Sequence, residues 1–509
     1  MSAISTAVGL ERRSRVAGYK IKKGFFDLVT PNLPQVIAVL GEVNTANQGS
    51  VSYDRREITS AQQAGEIYGY GSPIHQIMRI LRPISSEGVG GIPTVVFPQE
   101  SDGSAFPTEI ELTITGTATS NATHSLIING RADVDFETYA FSVVQGDTPT
   151  EIASKMVDSV NSVLSSPVTA TAIAGVVTLV SKWVGITSAE INVDFDVRGN
   201  SAGVTYAETK KNDGAGSVSL ANFFEQLGNE WVTAVINPYA KSDSSTLSAL
   251  EQFNGFPDPE NPTGRYTGIV FKPFMAFFGE TENLVQDLAD ITDAQARINQ
   301  VTNVLCPAPN SKGFTYEAAA NVVRLFARTM QDTPHLTINN QRYPDMPTPI
   351  DGIISGMADY NNRDFLVKKG CSTVTFENGS YVVQDLVTTY HPAGEVPLQY
   401  AYARNLNLDW NVRDGYSILE NQNVKDHTIL KDSQISNASK TVKPKQWQAV
   451  LYEYFEALGE RALLRDPDFS KESLKVEVNS TNPDRFDTFF RYRRTGVARI
   501  QSTDVEAGF

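Results

Sequence analysis

Apolar positions follow three different rhythms along this 509-residue chain. In the first, unbroken apolar runs are bounded by turn residues. Gln35 to Gly41 (QVIAVLG) predicts a buried strand ending in a turn, and Pro93 to Pro98 a second short strand. Between them, Thr59 and Gln62 have the spacing of a capping box opening a helix. After the break at Gly69-Tyr70-Gly71-Ser72-Pro73, a second helical stretch places Ile74, Ile77, Met78 and Leu81 on one face.

From residue 106 to 208 the rhythm becomes strand-like and the composition shifts to Thr, Val, Ser and Ala, with runs such as Ile110 to Ile114 and Val176 to Val180. One helix, 148 to 164, interrupts them. Ile152, Met156, Val160 and Val163 fall at helical spacing, and Thr148-Pro149 supplies an N-cap and a proline at the first helical position. A separate β-rich module set into the chain is expected here. From 218 to 331, helical patterns (219–228, 243–253, 283–300, 315–331) alternate with apolar runs at Trp231 to Ile236, Gly268 to Phe274 and Val301 to Cys306. That alternation predicts a mostly parallel sheet covered on both faces.

Residues 365 to 395 (FLVKKGCSTVTFENGSYVVQDLVTTYHPAGE) predict a hairpin, because Asn378-Gly379 suits a two-residue turn in which both residues take positive φ. Pairing Glu377 with Ser380 puts Cys371 opposite Leu386, five residues short of His391. Five residues of strand span roughly 17 Å, so a Cys/His dyad is not expected. A polar segment follows, then a helix from Lys445 to Arg465 with Trp447, Leu451, Tyr454, Phe455 and Leu458 in one stripe, then strands at Ser473 to Val478 and Arg485 to Ile500. In the last strand arginines interleave with aromatic residues, and such a strand must pair with something.

Composition adds little: 41% apolar and 20% charged residues describe an ordinary globular chain. No apolar run approaches the roughly 18 residues of a membrane span. The N-terminal segment becomes charged before a secretory apolar region could form, which predicts a cytoplasmic chain. Two separated cysteines, Cys306 and Cys371, form no disulfide framework or zinc motif.

Charge changes the picture more. Residues 11 to 23 carry Arg12, Arg13, Arg15, Lys20, Lys22 and Lys23 against Glu11, a net of +5, and residues 485 to 499 carry five arginines against Asp487, a net of +4. With a total of −15, the rest of the chain sums to −24. Basic ends on an acidic body suit arms for nucleic acid, arms for copies of the same body, or plain solvated charge. A body at −24 disfavours phosphate.

No motif with a strong chemical mechanism is present: no phosphate loop, no HExxH, no G-x-S-x-G elbow, no strand followed by GxGxxG. Asp133/Asp135 and Asp194/Asp196 could share a strand face, but no further ligands cluster with them. His75, His124, His335, His391 and His427 are scattered over unrelated elements. No catalytic, cofactor or metal residue is assigned.

Several stretches taken in order resemble the contractile tail sheath proteins of Mu-like bacteriophages: LPQVIAVLGE (33–42), EIYGYGSPIHQIMRIL (66–81), GDTPTEIASKMVDSVNS with PVTATAIAGVVTLVSK (146–182), GCSTVTFENGSYVVQDLVTTYHPAGE (370–395), and the closing helix with two strands. The resemblance covers nearly the whole chain. It implies a multi-domain α/β protein with a subtilisin-like, catalytically inactive core, a β-rich inserted domain and extended terminal strand arms. The implied division is an arm (1–32), a first core segment (33–105), an inserted outer domain (106–208), the subtilisin-like domain (209–395) and a C-terminal domain with helix and strand arm (396–509).

By the same resemblance the chain is a structural subunit, not an enzyme. It polymerises helically as stacked hexameric rings around an inner tail tube, meets baseplate and tail terminator proteins, and contracts to drive the tube through a host envelope. The resemblance further implies assembly in the bacterial host cytoplasm, residence in the virion tail, and neither cofactor, direct nucleic-acid contact nor membrane insertion. Arms lending strands to neighbours would place Arg12, Arg13, Arg15, Lys20, Lys22 and Lys23 at one end, and Phe490, Arg491, Tyr492, Arg493 and Arg494 at the other, in inter-subunit contacts. The competing expectations are a hydrolase-fold enzyme and a non-contractile structural or adhesive phage protein.

Overall fold

A computed structural model describes residues 31–241, 244–394 and 399–507. The described residues form two compact units, one comprising residues 32–411 with 497–507 and the other Pro31 with residues 412–496.

The larger unit is built on a six-stranded sheet in the order Asn303–Pro307, Met275–Glu280, Ala234–Ile236, Ile37–Glu42, Thr94–Gln99, Arg56–Glu57. All neighbouring pairs are parallel except the last, where Arg56 faces Val96 in antiparallel register. Ile37–Glu42 and Met275–Glu280 are buried at every position, which is why they read as unbroken apolar runs with no alternation. The chain moves outward one way from Ile37–Glu42 to Thr94–Gln99 and the other way from Ala234–Ile236 through Met275–Glu280 to Asn303–Pro307. The order therefore reverses between Ile37–Glu42 and Ala234–Ile236, the place where doubly wound sheets open a crevice at their carboxyl ends.

The Thr315–Asp332 helix packs over this sheet with Tyr316, Ala319, Val323 and Phe326 buried. It sits very close: a Cβ on Gly279 would lie 1.7 Å from the Thr315 carbonyl oxygen, so only glycine fits there. The Pro73–Leu81 helix is capped by Ser72, whose hydroxyl accepts from the His75 N–H, and buries all the positions predicted for its face. The first helix is capped by Ser60 rather than Thr59; Gln63, not Gln62, reaches back to the Thr59 N–H at 2.9 Å.

Residues 109–212 form a four-stranded antiparallel sheet (Thr205–Asn212, Glu109–Thr115, Val176–Ser181, Val168–Ile173) and a three-stranded one (Val193–Asp196, Ala122–Ile128, Ala140–Val143). The Pro149–Ser162 helix carries the predicted cap as a complete capping box between Thr148 and Glu151. Bridges Ser101↔Val218 and Phe106↔Ala215 hold the two ends of this β-rich segment side by side. Its buried side chains, Leu112, Ile152 and Trp183 among them, join the same continuous core as Ile37 and Phe326.

The hairpin has the predicted register, Glu377↔Ser380 to Val374↔Val383, and the turn has φ 51° at Asn378 and 75° at Gly379. A bulge then pairs Thr373 with Asp385, one residue beyond simple alternation.

Other expectations shift. The strand predicted at Gly268 to Phe274 lies instead at Met275–Glu280, while Ile269 is fully exposed and Phe271 takes φ 30°. Residues 268–279 form one nearly continuous apolar run, and periodicity cannot phase a strand within it. The helix predicted over 283–300 covers only Val285–Thr292. The segment read as polar after the hairpin contains a long helix, Ala403–Asn423, within which the division between the two units falls.

In the smaller unit the Pro444–Glu460 helix buries the predicted Trp447, Leu451, Tyr454, Phe455 and Leu458. A short helix, Pro467–Ser473, capped by Asp466, precedes an antiparallel pair, Lys475–Val478 with Phe486–Phe489. The expected strand from Arg485 to Ile500 is thus regular only at its start, and it is not an unpaired arm over that stretch.

Candidate functional site: the closed carboxyl edge of the sheet

The crevice at the sheet's reversal point is the one place where this topology would assemble chemistry, and it is filled by acids. Glu42 ends the Ile37–Glu42 strand and Glu280 ends its own strand; both are buried. Residues of the β-rich segment cover them. Thr187 Oγ1 donates to Glu42 Oε1 at 2.9 Å and accepts from the Trp183 indole N–H at 2.9 Å. Glu190 accepts from both the backbone N–H and the hydroxyl of Thr315, each at 2.8 Å, where the central helix begins. Arg131 reaches Glu317 at 3.1 Å and Asp345 at 2.7 Å. Lys241 lies 3.2 Å from Glu280.

Burial dominates the electrostatics. It pushes the Glu42 carboxyl up to about 8, only partly offset by the Thr187 hydroxyl. Glu190 is pushed up to about 7 by the same cause against the Thr315 hydrogen bonds. Burial also raises Glu317, opposed by Arg131. For Arg131, burial works against the charge, but Glu317 and Asp345 together outweigh it and hold the guanidinium protonated.

A carboxylate beside a hydroxyl, as at Glu190 and Thr315, has the parts of a base and a nucleophile. Access decides against that use: Glu42 and Glu317 are 1% exposed and Thr315 is 2%. The crevice is a cemented joint between the β-rich segment and the sheet. Among the described residues no group of three or more His, Cys, Asp or Glu could hold a metal ion, and no helix is long and apolar enough to cross a membrane.

The residues weighed in the sequence fall elsewhere. Asp135 is paired with Arg79 at 2.8 Å, and Asp194 lies 3.6 Å from Lys312. His75 is buried and accepts from the Gly71 N–H at 3.1 Å; burial, with Arg79 nearby, pushes it down to about 3. His391 comes nearer to the cysteine strand than the 17 Å estimate implied, since a Cβ on Gly370 would lie 2.8 Å from its Nδ1. The strand ends at Asp385 and the chain keeps running back beside residues 370–372, so the ring folds alongside. Its nitrogens are nevertheless taken by Thr389 O (2.7 Å) and Asp293 Oδ1 (2.8 Å), while the Cys371 thiol, raised by burial, donates to Ser372 O.

Of the expected arm residues, Arg12, Arg13, Arg15, Lys20, Lys22 and Lys23 lie outside the described residues. Phe490 packs on Phe455 (5.0 Å) and Tyr416 (5.8 Å). The Arg493 guanidinium covers the Phe469 ring at 4.0 Å and pairs with Asp466 at 2.8 Å. Arg491 is exposed, while Tyr492 and Arg494 are half-buried, Arg494 bridging to Leu464. None of the acids at the sheet edge stood out in the sequence. The available signal was Glu42, a lone carboxylate ending a wholly apolar strand.

What fold and site define together is a mixed α/β protein of two compact units whose sheet crevice is sealed by its own β-rich segment. No family model matches the chain. It is 24% identical over 456 residues, 88% of each chain, to the Mu-like prophage FluMu tail sheath protein of Haemophilus influenzae. The resemblance read from the sequence is borne out by this relative. Solved structures similar to the chain include the sheath tail protein of Desulfitobacterium hafniense (TM-score 0.45, 11% identity, 94% of this chain and 100% of that one). Another is the contracted PVC sheath complex of an extracellular contractile injection system (TM-score 0.46, 9% identity, 97% and 98%).

Proposed function

We propose that this chain is the structural subunit of a contractile phage tail sheath, polymerising helically around an inner tail tube and contracting to drive the tube through the host envelope. The co-linear match to a tail sheath protein over 88% of both chains carries this reading. The burial of the crevice supports it: Glu190 is half-buried, but its partner Thr315 is 2% exposed, so the hydroxyl is closed to a substrate. The sheet is then a subtilisin-like core kept for its shape, without turnover.

In this reading the subunit stacks in hexameric rings, meets the tube, baseplate and terminator proteins, assembles in the host cytoplasm and resides in the virion tail. Residues 106–208 form the outer domain. The terminal arms, with Arg12, Arg13, Arg15, Lys20, Lys22 and Lys23 at one end and Phe490 to Arg494 at the other, contact neighbouring subunits. Among the described residues, Lys475–Val478 and Phe486–Phe489 pair only with each other. Each keeps an outer edge on which a neighbour's arm can add a strand. Electron microscopy of the purified protein tests the reading: sleeves are expected, and a monodisperse monomer under all assembly conditions would overturn it.

A further inference from the structure

Wherever two successive described residues take positive φ, the second is glycine, as at Asn129-Gly130, Ala174-Gly175 and Asn378-Gly379; the exception is Asp135-Phe136. These two form the turn between Val134 and Glu137 of an antiparallel pair, with φ 52° and 71°, close to the 51° and 75° of Asn378 and Gly379. The backbone is the same, but a phenylalanine stands where a β-carbon is crowded. Phe136 gains no burial for that cost, being 90% exposed. The turn is also pinned: Asp135 accepts from Arg79 Nε at 2.8 Å and from the Ser165 hydroxyl at 2.5 Å. An aromatic side chain that is strained, held in place and left in water marks a function rather than a need of the fold.

Phe136 lines a cavity of about 480 Å³, the size of a small-molecule site, together with Ile84, itself 78% exposed. The buried side of this cavity offers hydrogen-bond donors. Arg79, with a side chain 12% exposed, uses only Nε, and its two Nη groups have no partner among the described residues. Arg131 gives its Nη groups to Asp345 and Glu317, which leaves Nε buried and unpartnered. His75 is 2% exposed and accepts at Nδ1 from the Gly71 N–H; burial keeps the ring neutral, so its proton sits on Nε2. The acids of the cavity are engaged or face water: Asp135 and Asp345 are bonded to these arginines, Glu137 accepts from the Leu164 N–H at 2.7 Å, and Asp133 is exposed.

We infer that this cavity binds a small carboxylate carried on an apolar ring, with Arg79, Arg131 and His75 donating to the carboxylate and Phe136 and Ile84 covering the ring. The planar guanidinium fork matches a carboxylate, and an exposed aromatic face beside it suits a ring. Asp133 and Glu137 repel a second negative charge, so a monoanion is preferred to a phosphate dianion. Phe136 then keeps its strained position because binding uses it, at the expense of stability.

The test titrates benzoate into the free full-length subunit and follows the ligand by nuclear magnetic resonance, so its outcome stands whether or not the chain forms sleeves. Saturable binding with a Kd of about 1 mM is expected, and glucuronate, phenyl phosphate and benzylamine should each bind several-fold more weakly. Arg79→Lys keeps a cation beside Asp135 but loses the fork, so affinity should fall roughly tenfold while the melting temperature holds. Phe136→Gly gives the turn its favoured Asp-Gly pair, so the variant should melt higher and yet bind benzoate several-fold more weakly. Absence of saturable binding, or an affinity indifferent to both substitutions, would overturn the inference. Tighter binding of phenyl phosphate or benzylamine would overturn the choice of a monoanion, and tighter binding of glucuronate the choice of an apolar ring.

Discussion

Thr187 Oγ1, in the β-rich segment, donates a 2.9 Å hydrogen bond to Glu42 Oε1 at the end of a central strand of the sheet. The bond crosses the joint between segment and sheet, and Glu42 is 1% exposed there. A carboxyl held up to about 8 keeps its proton at pH values where the unfolded chain, at its ordinary 4.5, has lost it. The folded state therefore binds the extra proton between those values. Its contribution to stability is complete at low pH and is lost as pH rises toward 8.

Between pH 5 and 8, thermal stability should fall by roughly 1.4 kcal/mol per pH unit for each such proton. Glu190, pushed up to about 7, adds to the lower part of that window. Glu42→Gln, which keeps shape and an acceptor, should remove its share, so that the variant's advantage widens with pH. Differential scanning calorimetry at several pH values reads this directly. Parallel melting-temperature curves for both proteins would refute the buried-proton account.

Arg131 ties the joint from the other side, and its partner Glu317 is 1% exposed. Arg131→Ala strands that carboxylate without its cation, which should cost about 3 to 5 kcal/mol. Adding Glu317→Gln should recover part of the loss, because the amide oxygen can still accept from the Phe314 N–H that Glu317 caps. Urea denaturation of the single and double variants measures the recovery. No recovery would mean that Arg131 acts through packing rather than charge.

The parallel strands, the capped helices at Ser72 and Thr148, and the hairpin were legible because each rests on local chemistry: caps, turn residues and apolar period. The Ala403–Asn423 helix was not, because its inward positions mix Leu406 and Trp410 with Asn407 and Asn411, which satisfy each other one turn apart. The acids at the sheet edge were hidden for another reason. Glu42, Glu190 and Glu317 are remote in sequence, and only the docking of the β-rich segment brings them together. The hairpin's neighbour His391 was misplaced because the chain leaves the strand after Asp385 yet stays beside residues 370–372, where the Ser372 hydroxyl holds Val387.

Cys306 and Cys371 are both fully buried, and burial raises both thiols. A thiol reagent should therefore label the native chain only through opening, at a rate that tracks local stability. Replacing any one histidine should leave sleeve formation unchanged apart from packing losses. Fast stoichiometric labelling of Cys371, or an assembly defect confined to one histidine variant, would point to a reactive site.

The closing arginine-rich stretch separates fold from assembly residue by residue. Phe490 stacks on Phe455 and Tyr416, so Phe490→Ala should lower the stability of the smaller unit by about 2 kcal/mol. Arg493 is engaged with Phe469 and Asp466 inside the chain, and reversing it should also cost stability. Arg491 differs: its backbone N–H is tied to Ser473 Oγ at 2.8 Å, but the residue is exposed. Arg491→Glu should leave unfolding within roughly 0.5 kcal/mol of normal while raising the concentration needed for sleeves to form. The defect should be largest in dilute salt and shrink as the screening length falls from about 10 Å at 0.1 M toward 3 Å at 1 M. Sedimentation of sleeves across a salt series checks both features. Unaltered assembly at low salt would remove Arg491 from the subunit contact, and a defect indifferent to salt would mean that the contact is not electrostatic.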